Sequence, residues 1–162
     1  MNRNTFDPSS NRAVVGLRFQ RKVQDDMSKL FDSVISTREY LKNQDKSLSE
    51  SQLNFLEQKF GDIAVVIDSD IIFIECVSIN SEFSSPFPES KIKNFIGENK
   101  FYAFGWDDED VSFIHSSTWN SYARNLPSFL RDGRKFRKLM RSNIRSIKKM
   151  CSGVEDFRKL FE

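Results

Sequence analysis

The run Gly61-Asp62-Ile-Ala-Val-Val-Ile-Asp-Ser-Asp-Ile-Ile-Phe-Ile-Glu75-Cys76-Val77 leaves a chain of this kind few options. Two segments of β-branched and other apolar residues, Ile63–Ile67 and Ile71–Val77, flank the polar trio Asp68-Ser69-Asp70. β-Branched side chains lose freedom in a helix and pack well on a pleated surface, so each segment predicts a strand. The trio between them is short enough for a tight turn and predicts antiparallel pairing. One acid, Asp62, precedes the first strand, and another, Glu75, lies near the end of the second.

Side chains two apart on a strand point the same way, so Phe73, Glu75 and Val77 share a side. With Ser69-Asp70 as a two-residue turn, Asp62 lies opposite Val77 and on the side of Glu75. The two carboxylates then converge at the open end of the hairpin as diagonal neighbours, near enough to share one cation. A hard divalent ion held there, Mg²⁺ or Mn²⁺, would polarise a phosphodiester and activate water for attack. Other turn lengths shift the register and turn Asp62 away. A plainer alternative has Asp62 capping a turn and Glu75 facing solvent, the usual fate of single acids.

The 162 residues are enough for one domain around one core. From Val15 onward, Phe19, Val23, Met27, Leu30 and Val34 recur at intervals of three and four, which predicts a long first helix. Ser49 and Gln52 have capping-box spacing and predict a helix through Leu53, Leu56 and Phe60, stopped by Gly61. Residues 41–49 read as a polar connection and 78–90 as a loop. Phe101–Trp106 and Val111–His115 predict a second strand pair around the acidic turn Asp107-Asp108-Glu109-Asp110. Pro127 interrupts the next stretch, and a long basic helix is expected from near Gly133. The fold expected is α/β with a central mixed sheet. It divides into a loose lead over 1–12, a body over 13–130 and a basic helical extension over 131–162 packed on the same domain.

A formal net charge of +2 says little about partners, but its distribution says more. Residues 131–149 carry nine Lys and Arg against one acid, Asp132. At roughly 100° per residue, a helix would gather Phe136, Met140, Ile144, Ile147 and Cys151 into one stripe. Arg134, Lys138, Arg141, Arg145 and Lys148 would form another, so that one face docks while the other meets phosphates of DNA or RNA. Such contacts position a nucleic acid without reading its sequence. Arg18, Arg21 and Lys22 on the first helix would extend the footprint. A solvated amphipathic helix, or one that binds a membrane surface or a protein partner, carries the same pattern.

Tyr102, Phe104 and Trp106 alternate along one strand face, where core packing is favoured over stacking with bases. The one histidine, His115, is expected to serve structure at a strand end, with Trp119 and Tyr122 anchoring the loop after it. Cys76 and Cys151 form neither a disulfide framework nor a zinc cluster. No apolar run approaches membrane-spanning length, and the N-terminus has no hydrophobic signal segment. The expectation is therefore a reducing, intracellular and cytoplasmic setting, with no membrane and no secretion. Phosphate-binding glycine loops and the G-x-S-x-G elbow are absent from the sequence.

Gly16-Leu17-Arg18-Phe19-Gln20-Arg21, then Asp62, then a hydrophobic strand ending in Glu75-Cys76-Val77, resembles the motif order of the PD-(D/E)xK nuclease superfamily. Within it, the archaeal-type Holliday-junction resolvases are the most similar group, over roughly residues 14–78. The resemblance implies a restriction-endonuclease-like fold, Mg²⁺ or Mn²⁺ held by Asp62 and Glu75, and phosphodiester hydrolysis. Gln20 stands where the family has a helix carboxylate, keeping an oxygen but losing the charge. Val77 stands where it has a lysine, and valine can neither stabilise phosphate charge nor orient water. Lys91 or Lys93, after the proline-rich loop, is the expected substitute, although keeping the segment around Ile92 soluble is the plainer role for both. Two functions stand at this point. One is a nucleic-acid-binding protein of nuclease fold, which would be a metal-dependent endonuclease on DNA or RNA if Gln20 and Lys91 or Lys93 assist the two acids. The other is a catalytically silent protein of the same fold that acts through a protein partner. A resolvase would benefit from a homodimer, which no residue pattern here specifies.

Overall fold

Several elements differ from the periodicity that predicted them. The computed structural model describes residues 11–79, 85–106 and 111–162. The expected lead over 1–12, apart from its last two residues, and the acidic turn Asp107–Asp110 lie outside the described residues. Helix α1 spans Asn11–Ser28 and is followed by strand β1 (Ser33–Ser36), α2 (Thr37–Gln44) and α3 (Glu50–Phe60). Then come β2 (Ile63–Ile67), β3 (Asp70–Ile79), β4 (Ser85–Pro88) and α4 (Glu89–Asn94). The remainder is β5 (Lys100–Trp106), β6 (Val111–His115), α5 (Ser116–Ala123), β7 (Ser128–Arg131) and β8 (Arg134–Leu139). A 3₁₀ turn (Arg141–Asn143), α6 (Ile144–Met150) and α7 (Val154–Lys159) complete the chain.

Five strands form the main sheet in the order β1-β2-β3-β5-β6. The β3–β5 pair is parallel and the others are antiparallel, so the sheet is mixed, as expected. Alternation along the strands sends side chains to two separate cores. On one face Ile63, Val65, Ile72, Ile74 and Ala103 pack under Phe19, Val23 and Met27 of α1 and Phe157 of α7. On the other, Tyr102, Phe104 and Ile114 pack under α4, α5 and α6 through Ile92, Phe95, Trp119, Ile144 and Ile147. Tyr102 and Phe104 are fully buried, which settles their role as core; the side chain of Trp106, at the end of β5, lies outside the described residues.

Three expectations are corrected. The first helix stops at Ser28, and Val34 belongs to β1, because the β-branched Ser33-Val-Ile-Ser36 segment finds an edge to pair with on β2. The segment over 78–90 is not wholly loop, since β4 pairs with β8 in a second, three-stranded sheet of order β4-β8-β7. β4 tolerates Pro86 and Pro88 because it is an edge strand. The long basic helix from Gly133 is replaced by the β7–β8 hairpin and the short α6. Asp132 and Gly133, at φ 51° and 76°, form the two-residue turn with positive φ that matches strand twist. Asp-Gly is the sequence signal for that turn, and it outweighs the helical spacing of the lysines and arginines around it. Among the described residues no helix is long and apolar enough to cross a membrane.

Candidate active site

Asp62 is delivered by the end of α3. That helix opens on the reciprocal Ser49–Gln52 capping box and stops at Gly61, whose φ of 84° suits glycine alone. A β-carbon on Gly61 would lie 2.8 Å from the Ile74 carbonyl oxygen, so the missing side chain also lets the backbone press against β3. Asp62 N–H donates to that same carbonyl at 2.8 Å, and the Asp62 carbonyl accepts from Thr37 N–H at 2.9 Å. Ile63 faces Ile74 in the β2–β3 register, so the next pair outward is Asp62 and Glu75. The turn is made by Asp68-Ser69, with Asp68 at φ 53°, and not by Ser69-Asp70. This moves the register by two residues and keeps the face. The acids therefore meet directly across the strands, and Val77 packs against the core below.

Glu75 is 8% exposed, and its Oε1 accepts a hydrogen bond from Lys91 Nζ at 2.7 Å. Lys91 comes from α4, which Ile92 and Phe95 fasten to the core. Asp62 Oδ2 accepts from Cys76 N–H at 2.9 Å. Beside Glu75 in the β3–β5 register lies Tyr102, whose hydroxyl donates to Asn120 Oδ1 at 2.9 Å. Asn120 in turn donates to the Phe95 carbonyl at 3.1 Å, tying the floor of the site to the end of α4.

Asp62, Glu75 and Lys91 line a cleft of about 500 Å³, together with Asn54 and Glu57 of α3, Asn94 of α4 and Arg134 of β8. Burial, then the charge of Glu75, pushes the Asp62 carboxyl up to about 8, against the opposing pull of Cys76 N–H and Lys91. Burial works against the charged form of Lys91, yet Glu75 and Asp62 outweigh it and hold the ammonium above its ordinary range. Burial and Glu75 push Tyr102 far up, so it remains a neutral donor. The cleft thus holds an Asp62 carboxyl biased toward its protonated form beside the Lys91–Glu75 contact.

Two converging carboxyl groups, one biased toward its protonated form by burial and then by the charge of its neighbour, offer hard oxygen donors of the kind Mg²⁺ and Mn²⁺ take once that proton is lost. They fit an ion that keeps most of its own water. Glu57, the next carboxylate along the wall, is engaged by Arg38 Nε at 2.8 Å. Among the described residues, no group of three or more His, Cys, Asp or Glu gathers to hold a metal.

The other predicted residues are placed less centrally. Gln20 is half-buried on α1, against the opposite face of the sheet, and does not line the cleft. Arg18 and Arg21 are exposed on the same helix. Lys93, two residues from Lys91, is exposed toward a neighbouring groove with Arg134 and Lys135. The five basic residues expected on one helical stripe are divided among three elements. Arg134 and Lys138 are on β8, Arg141 is in the 3₁₀ turn, and Arg145 and Lys148 are on α6.

His115 caps α5 through Nδ1, which accepts from Ser117 N–H at 3.1 Å, leaving Nε2 to donate to the Glu98 carbonyl at 2.9 Å. Its role is structural, as expected. Trp119 and Tyr122 are on α5 and pack with the core, not on a loop. Cys76 projects to the α1 face, where burial raises its thiol well above the ordinary range. Asn54, Glu57 and Asn94 carried no sequence signal; only the packing of α3 against α4 brings them to the cleft.

The fold has a counterpart among solved structures. The chain matches the Archaeoglobus fulgidus protein Hjc, described as a Holliday junction resolvase from an archaeal hyperthermophile. The TM-score is 0.54 at 12% identity, over 90% of this chain and 96% of that one. At such identity the likeness is one of fold alone, an α/β architecture of restriction-endonuclease type with a central mixed sheet flanked by helices. No protein-family model matches the sequence, and no curated protein does so.

Proposed function

We propose that this chain binds DNA or RNA across the cleft and hydrolyses its phosphodiester bonds with the help of a divalent ion. The observation that carries the reading is the Lys91–Glu75 contact of 2.7 Å. It supplies from α4 the ammonium that β3 lacks at Val77. Asp62 and Glu75 would hold Mg²⁺ or Mn²⁺, which when bound supplies Lewis-acid polarisation of the phosphate and lowers the pKa of a bound water. Lys91 sits where it can neutralise charge developing on the phosphoryl oxygens. Arg134 at the rim gives the backbone a charged contact that positions it without reading bases.

Cleavage of junction, duplex and single-stranded substrates in Mn²⁺, with EDTA as the control, tests the reading. Asp62→Asn, Glu75→Gln and Lys91→Ala should each lower the rate by roughly a hundredfold or more, the scale of losing an electrostatic stabiliser. Lys93→Ala should leave it within about twofold, as expected for an exposed side chain outside the cleft. Unchanged turnover in Lys91→Ala would remove the relocated lysine. One observation favours a second reading, binding without cleavage. Lys91 already neutralises Glu75, and no third His, Cys, Asp or Glu gathers with the two acids to hold a metal among the described residues. Salt-sensitive binding with no turnover on any substrate would select it.

A further inference from the structure

We infer that the outward face of the small sheet seats unpaired bases, so that a strand is held single-stranded as it approaches the cleft. This rests on the nucleic-acid reading above and names the form of nucleic acid that the site takes. The β7–β8 register sets Phe129 opposite Phe136 and Arg131 opposite Arg134, around the Asp132-Gly133 turn. Alternation then divides the hairpin. Leu139 enters the core beside Phe87 of β4, and Arg137 on the same side is bound by Glu89. Phe129, Arg131, Arg134, Phe136 and Lys138 take the other side.

The two rings on that side are half-buried and stacked, with centroids 5.7 Å apart and planes 21° from parallel. The Arg131 guanidinium lies 5.8 Å from the centre of the Phe129 ring, and that of Arg134 lies 5.7 Å from the centre of Phe136. Residues 128–139 hold five basic residues against one acid, so the partner is a polyanion. Charge alone would serve a duplex equally well, but a duplex hides the faces of its bases. Two aromatic rings set among arginines gain from a base whose π-face is free. The platform is also continuous with the cleft. Arg134 lines both the cleft and the groove beside it, and Phe136 pairs with Pro88, another residue of the cleft wall. At its far end Phe129, Arg131 and Lys138 border a hollow of about 240 Å³.

Anisotropy titrations in EDTA with labelled oligonucleotides of one length, single-stranded and duplex, in DNA and RNA forms, test the inference on the full chain. Phe129→Ala and Phe136→Ala should each weaken single-strand binding by roughly tenfold and duplex binding by less than about twofold. Phe136→Tyr, which keeps a ring, should bind like the wild type; this separates stacking from folding, and thermal melts confirm the fold of each variant. Arg131→Ala and Arg134→Ala should weaken both forms and reduce the salt dependence. Comparing the DNA and RNA arms shows which backbone the platform prefers. Equal loss of single-strand and duplex affinity in the phenylalanine variants, or no loss in either, overturns this inference alone. Failure of the wild type to bind any of the four oligonucleotides overturns the nucleic-acid reading and this inference with it.

Discussion

Asp62 carries a cost of ionisation that exists only in the folded protein. Its carboxyl is pushed up to about 8 from an ordinary 3.8 by burial and by Glu75. The folded state therefore binds this proton more tightly than the unfolded chain does. The stabilisation is complete below the unfolded pKa and is lost as pH rises through the folded one. Asp62's contribution should accordingly fall between about pH 4 and pH 8, and Asp62→Asn should flatten that part of the stability curve. Above pH 8 the variant should be the more stable protein, by on the order of 2 kcal/mol after allowance for solvent screening, seen as a higher Tm. A variant whose decline with pH matches the wild type would remove this account of Asp62. Convergence of the two acids was legible in the sequence because strand alternation fixes which face a residue takes. The exact pairing was not, because Asp68 accepts a positive φ and advances the turn by one residue. Parity rescued the conclusion: a slip of two preserves the face, whereas a slip of one would have reversed it.

Helix α4 has six residues and no side-chain cap at its start, too short to hold itself. Apolar packing by Ile92 and Phe95 supports its inner side, and Glu89 anchors its first turn to Arg137 through contacts of 2.7 and 3.3 Å. Arg137 also donates to the Leu126 carbonyl at 2.9 Å. Removing either partner leaves the other charge poorly solvated, so Arg137→Ala and Glu89→Ala should each cost roughly 3 kcal/mol. The double variant should cost less than the sum of the two. Arg137→Lys should not restore stability, since a lysine cannot reproduce the forked contact to Glu89 together with the bond to Leu126. Denaturant titrations of the four proteins measure the coupling, and strict additivity would show that the pair contributes nothing. Lys91 could be named from the sequence as a candidate, but its reach to Glu75 depends on this clamp between elements 48 residues apart. The basic hairpin was hidden for a different reason. Its lysines and arginines also fit a helical period, and the two residues that decide between helix and hairpin, Asp132 and Gly133, carry no part of that charge pattern.

Across the whole molecule, the main sheet separates two kinds of surface. One side is closed by α1 and α7 over an apolar core; the other carries the cleft, the small sheet and the aromatic-basic hairpin. That separation explains why the motif order in the sequence grouped Gln20 with Asp62 and Glu75 while the fold leaves it out of the cleft lining. The α/β class and the mixed sheet were legible from alternating helical and strand-like segments. The second sheet was not, because it joins β4 to strands some fifty residues later in the chain. With Lys91 resting on Glu75, the carboxylate already has a counter-ion, and a divalent ion of the kind proposed would have to compete with a tethered ammonium. A polyanion that draws this ammonium toward itself frees the carboxylate, so guest and ion should recruit one another. Calorimetric titration of Mn²⁺ should show a tighter Kd, by about tenfold, when a cleavage-resistant phosphorothioate oligonucleotide is present, a coupling of ordinary size for linked sites. Lys91→Ala should abolish that difference, so that the Kd for Mn²⁺ is the same with and without the oligonucleotide.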